Sequence, residues 1–283
     1  MKDLAWCTDI HLDFLDRSEE DGRIERELVA PILDSNCSGV MITGDISISE
    51  TLCQHLALLD GLIKKPIYFV LGNHDFYGGS FSGVRSAIAD LCSRSKNLKY
   101  LTNENPLFLS DRVALIGHDG WYDGLYGDPI HSGYIMTDWI RIDDFFQSGA
   151  IRPMNGGLQP NLNVILSVAR HAAFEASKSV LEKGRAAAQK SPTVVVLTHV
   201  PPFPELHRPD NKSSSVNGMP WYTSKMMGDA LRQLSREFPD TRFEVFSGHT
   251  HGLSSERITR NLTCHVGGAT YDQPSMVGTI RII

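Results

Sequence analysis

No apolar run in this chain approaches the ~20 residues that a membrane-spanning helix requires. The acidic Asp9 arrives too early for a secretory leader. Cysteine is scarce and shows no framework. Cys7, Cys37, Cys53, Cys92 and Cys264 are odd in number and form no Cys-x-x-Cys pair, so they read as reduced, mostly buried thiols in a cytoplasmic protein. Basic charge is not in excess: 27 Lys and Arg face 33 Asp and Glu, for a formal net charge of −6. That excludes the broad basic surface of a non-specific nucleic-acid binder and disfavours long nucleic acid as a partner. A small phosphorylated substrate stays compatible, because bound cations can supply local positive charge. Internal repeats and low-complexity tracts are also missing.

What is present is ordinary for a globular protein. Hydrophobic residues make up 41% and charged residues 21%, which fits neither disorder nor a disulfide scaffold. Short apolar runs alternate with stretches of helical spacing. Residues 4–7, 40–43 and 66–71 read as strands, and residues 24–33, 52–63 and 84–92 as helices. This β-α-β-α-β-α order predicts a parallel sheet with helical crossovers. Further strands are expected at 113–116, 194–198 and 243–246, helices at 165–189 and 226–238, and β structure over 262–283. Two stretches break the rhythm. Residues 117–163 carry Trp121, Tyr122, Tyr126, Tyr134 and Trp139, and their aromatic content favours an ordered lid. Residues 201–221 are rich in Pro, Ser and Asn.

The informative pattern is positional. Strand after strand ends in a group able to bind a metal: Asp9-Ile10-His11, Gly44-Asp45, Gly72-Asn73-His74-Asp75, Thr198-His199 and Gly248-His249-Thr250-His251. Open α/β sheets bind ligands beyond the carboxyl ends of their strands, so five strands would deliver these groups to one edge. Alternation along an extended chain would turn Asp9 and His11 to one side, and His249 and His251 likewise. Gly44, Gly72 and Gly248 fall where a side chain would crowd an ion. Oxygen and imidazole donors without thiolate suit Mn, Fe, Zn or Co. Seven candidates, Asp9, His11, Asp45, Asn73, His199, His249 and His251, exceed one tetrahedral ion and suit two divalent ions sharing a carboxylate. Singly, each residue has a plainer reading: a strand-end Asp or His often caps a turn, Asn73 suits a left-handed turn, and His74 could be a core histidine. It is the ordered set that argues otherwise.

These blocks resemble the motif series of the calcineurin-like metallophosphoesterase superfamily: Asp-x-His, Gly-Asp, Gly-Asn-His-Asp/Glu, His, Gly-His-x-His. The resemblance runs from residue 9 to 251. It implies a four-layer α/β/β/α sandwich of two mixed sheets, with residues 1–283 forming one domain and 117–163 inserted as a lid. It assigns one ion to Asp9, His11, Asp45 and His251, and the other to Asp45, Asn73, His199 and His249, with Asp45 bridging. It makes His74 a substrate contact oriented by Asp75. The implied activity is hydrolysis of a phosphomonoester or phosphodiester by a metal-bound hydroxide, with His74 stabilising the transition state or protonating the leaving group. Two departures weaken a cyclic-nucleotide assignment: Ile48 stands where Gly-Asp-x-x-Asp would place an acid, and His199-Val200-Pro201-Pro202 replaces His-His-Pro-Pro.

Other residues are open to two readings. His118 and Asp119 follow a strand and could reach the same edge. Trp121 and Tyr122 could stack on a substrate ring or pack the lid. His207 and Arg208 could meet a phosphate or lie in a solvated loop. His55, His131, His171 and His265 have no context favouring function. A nuclease, a protein phosphatase and a non-catalytic scaffold remain alternatives. The sequence leaves open the substrate, the physiological metals and the oligomeric state.

Overall fold

The computed structural model describes residues 2–15, 22–154, 157–207 and 216–282. In chain order the first strands are β1 (Lys2–Cys7), β2 (Gly39–Thr43), β3 (Ile67–Val70), β4 (Leu98–Tyr100), β5 (Leu107–Ser110) and β6 (Val113–Gly117). They are followed by β7 (Ile151–Met154), β8 (Gly157–Pro160), β9 (Thr193–Leu197), β10 (Arg242–Ser247), β11 (Ser254–Thr259), β12 (Leu262–Val266) and β13 (Met276–Ile282).

One sheet has the order β13-β1-β2-β3-β4 and the other β11-β12-β10-β9-β6-β5. The β-α-β alternation of the sequence corresponds to the parallel pairs β1–β2, β2–β3 and β3–β4 in the first sheet, and β6–β9, β9–β10 and β10–β12 in the second. Both sheets are nevertheless mixed, because β13, β5 and β11 add antiparallel pairs.

Side-chain alternation explains the layers. Leu4 and Trp6 of β1 point between the sheets, where they join Leu115, Val195, Leu197 and Phe246 in one apolar cluster. Trp6 meets Phe246 edge-on at 4.9 Å. The intervening Ala5 and Cys7 point outward with Val40 and Ile42, into a core shared with the helices Leu52–Ile63 and Phe81–Arg94. On the second sheet Ala114, Ile116, Val194 and Val196 face the helices Leu162–Ala188 and Lys225–Glu237. The result is the expected four-layer α/β/β/α sandwich.

Residues 117–163 hold two short helices, Asp138–Arg141 and Asp143–Phe146, and the β7–β8 hairpin. Their aromatic side chains are largely core: Trp121, Tyr122 and Trp139 are fully buried. Burial drives the Cys7 thiol up to about 12, which keeps it protonated. No helix among the described residues is long and apolar enough to cross a membrane.

Candidate metal centre

The carboxyl ends of β1, β2 and β3 in one sheet, and of β9 and β10 in the other, open on a common site. Asp9, His11, Asp45 and His251 form one group whose donor atoms all lie within 4.8 Å of one another, and Asp45, His199 and His249 form a second. Asn73 joins the second group: its Oδ1 is 3.1 Å from His199 Nε2 and 2.9 Å from His249 Nδ1. All seven predicted ligands therefore converge. Each group draws on both sheets.

The convergence does not come from strand alternation. β1 ends at Cys7, before the first ligand. Asp9, His11, Asp45, His249 and His251 instead have φ of 48°, 42°, 51°, 69° and 57°. This left-handed region is unfavourable for residues with a Cβ, and such strain concentrates at functional sites. Gly44 shares it at φ 94°, and a Cβ there would sit 2.6 Å from His199 Nδ1. A Cβ on Gly72 would fall 2.1 Å from Asp45 Oδ1, and one on Gly248 2.2 Å from Asp9 Oδ2. The glycines exist to let these carboxylates in.

Asp45 divides its oxygens: Oδ2 faces His11 Nε2 at 3.8 Å and Oδ1 faces His199 Nε2 at 3.4 Å. Burial pushes its pKa up, but His199, His74 and His11 outweigh that and leave it well below the usual carboxylate range. Burial lowers His11 and His249 to about 3, so both are neutral with lone pairs free to coordinate. His11 Nε2 and His251 Nε2 point at each other across 3.2 Å, an arrangement that a shared cation suits.

The outer nitrogens fix which imidazole atoms face inward. His199 Nδ1 donates to the carbonyl of Thr43 at 2.8 Å, leaving Nε2 toward Asp45. His249 Nε2 donates to the carbonyl of Trp221 at 3.0 Å, leaving Nδ1 toward Asn73. A histidine held this way by a carbonyl has its tautomer set for metal binding. Buried carboxylates require a counter-charge, and divalent ions fit this donor set.

Several expectations need correction. Asp75 does not orient His74. Its Oδ1 accepts the amides of Ile46 and Ser47 at 2.9 and 2.8 Å, and its Oδ2 that of Gly72 at 2.8 Å, so it braces the two loops that carry Asp45 and Asn73. His74 is positioned by rings: Tyr77 lies 4.4 Å and His11 4.6 Å from it, centroid to centroid. His118 and Asp119 are buried, and Asp119 accepts hydrogen bonds from Tyr100, Thr102, Arg85 and the Leu71 amide. Trp121 and Tyr122 are too deep to stack on a ligand. His207 is buried rather than solvated. Arg208 lies outside the described residues.

One polar residue escaped the sequence reading. Asp138 is buried, and its Oδ1 accepts from Asn73 Nδ2 at 2.9 Å and from the Tyr77 hydroxyl at 2.7 Å. It thereby turns the Asn73 carbonyl oxygen toward His199 and His249. Its only sequence signal was a carboxylate next to Trp139 in an aromatic segment, which is no signal of function.

The sequence model for calcineurin-like phosphoesterases matches residues 3–253. The chain belongs to the calcineurin-like phosphoesterase family. Members of this family typically bind divalent metals and are generally metal-dependent hydrolases. Among solved structures, the chain is similar to a phosphopantetheinyl hydrolase from Mycobacterium tuberculosis, with TM-score 0.60 and 12% identity over 96% of this chain and 94% of that one. It is also similar to a dimetal phosphatase from Danio rerio, with TM-score 0.56 and 13% identity over 94% and 87% of the two chains. At such identities the likeness is one of fold. A search of curated proteins gives no match.

Proposed function

We propose that this family member is a metal-dependent phosphoric ester hydrolase acting on a small phosphomonoester or phosphodiester at a two-ion centre. The observation that carries this is the pair of ligand groups sharing Asp45. Asp9, His11, Asp45 and His251 would hold one ion, and Asp45, Asn73, His199 and His249 the other. Mn, Fe, Zn and Co suit the donors. Bound there, such ions activate water as a nucleophile and offset charge on phosphoryl oxygens.

The chain's own groups do the remaining work. The amide of His74 donates to Asp45 Oδ1 at 2.8 Å and holds the shared carboxylate in place. The His74 ring borders the cavity beside the ligands, within reach of a substrate oxygen, where it stabilises developing charge or delivers a proton to the leaving group. The cavity is about 170 Å³, lined by Asn73, His74, His249 and His251 and by residues 134–137. That volume admits a phosphoryl group with a modest substituent. Residues 117–163 serve as a lid on the single domain, a role supported by Tyr134 and Met136 at the cavity and by the Asp138–Asn73 hydrogen bond. Five free cysteines suit a reducing compartment, and we place the activity in the cytoplasm.

A panel of phosphomonoesters and diesters assayed with Mn, Fe, Zn and Mg tests the reading, together with Asp45→Asn. The variant should lose both ions by elemental analysis and turnover with them. Full turnover in Asp45→Asn would refute the shared centre.

A further inference from the structure

We infer that the centre selects phosphoesters whose leaving group presents a flat ring, received between tyrosine faces. The inference rests on the phosphoesterase reading above. Tyrosines wall the cavity on both sides of the ligand groups. Tyr271 tilts across the first group, with its ring centroid 4.6 Å from both His11 and His251. Tyr222 stands 5.1 Å from His249 of the second group, and Tyr134 meets Tyr222 edge-on at 5.9 Å.

Two of these rings are left open where the molecule buries most of its large aromatics: Tyr271 is 46% and Tyr134 37% exposed. They line the same cavity as the ligand groups, so a ring carried by a phosphoryl group bound there would meet them.

Two of the three rings are braced by neighbouring residues. His207 stacks on Tyr222 at 5.2 Å and 12°, and neither of its ring nitrogens has a hydrogen-bond partner among the described residues, so the imidazole acts as a flat support. Tyr271 is carried on a turn whose next residue, Asp272, has φ 61°. Arg23 clamps that turn by donating to the Asp272 carbonyl oxygen at 2.6 Å and to its Oδ1 at 3.1 Å. Braced rings lose less freedom when a planar partner slides against them, so more of the stacking is retained as selectivity.

The test compares benzyl and 2-naphthylmethyl phosphates with ethyl and butyl phosphates, whose alcohols leave with closely similar acidity, on the full chain loaded with Mn. The ring esters should show kcat/KM roughly tenfold higher or more. Tyr271→Leu and Tyr134→Leu should bring that ratio toward one, and Tyr271→Phe should keep it. Hydrolysis of all four esters with a ratio near one, or a ratio that both Leu variants leave unchanged, overturns the ring preference alone. If only diesters are turned over, the methyl diesters of the same four alcohols give the ratio; hydrolysis of none of the eight compounds, with any ion, overturns the phosphoesterase reading and the preference with it.

Discussion

His74 is the one group of the Gly-Asn-His-Asp block that faces the cavity without belonging to either ligand group. Replacing it with Ala removes the donor proposed to act on the phosphoryl group and leaves the seven converging side chains in place. Turnover should fall by about 10²–10⁴ while metal content stays at the parent value, which steady-state kinetics and elemental analysis would show side by side. At this scale the sequence was unevenly legible. The identity of the seven converging residues could be read, because the motif blocks sit at strand ends. The way they converge could not. Left-handed φ at Asp9, His11 and Asp45 is a local backbone choice that no period-2 pattern encodes. Asp75 was misread for a related reason: a carboxylate beside a histidine in sequence has no obligation to bond it, and three nearby amides satisfied it instead.

Among elements, the buried strands and amphipathic helices were read well, since their apolar spacing carries the burial that fixes them. The helix at Leu52–Ile63 matches its expected limits. The helix expected at 24–33 does form, but its first part, Ile24–Val29, is wound as a π-helix before Ala30–Asp34 continues as α. Helical periodicity alone cannot separate those windings. The edge strands β4, β5 and β11 were missed because they are partly exposed and lack the longer apolar runs of the buried strands. The 117–163 segment was read as a lid on its aromatics, whereas its link to the ligands runs through Asp138. Truncating that carboxylate frees the Asn73 amide to rotate. On the proposed two-ion reading, Asp138→Ala should weaken binding of the ion assigned to His199 and His249 by about 10–100-fold and spare the other, as a metal titration followed by calorimetry would reveal. Equal loss of both ions would assign Asp138 to general folding.

For the whole molecule, acid sensitivity follows from histidines that the fold keeps neutral. Burial lowers His118 from 6.5 to about 4. Its Nδ1 accepts the Gly120 amide at 3.2 Å, a bond that protonation would break. Between those two values the unfolded chain binds a proton that the native state refuses, so stability falls as pH drops through that window and is restored above about 6.5. The loss from this residue reaches about 3 kcal/mol. His118→Asn, which keeps an acceptor near the Gly120 amide, should flatten the difference between urea unfolding curves at pH 7 and pH 5. An unchanged pH dependence would mean that other groups govern it.

Donors from both layers of strands meet in each ligand group, and His11 and His251 stand 240 positions apart in the chain. Cations seated there would act as rivets through the sandwich. Neither half alone supplies a full donor set, so bound ions would add their binding energy to the closure of the fold. Stripping the ions with a chelator should lower the melting temperature, by an amount worth about 2.7 kcal/mol where the free metal had stood a hundredfold above its dissociation constant. Amide hydrogen exchange should then quicken first in the loops after β1, β2, β9 and β10, where the rivets sit, rather than at the outer helices. The same coupling would let a cell's metal supply set how much of this protein stays folded.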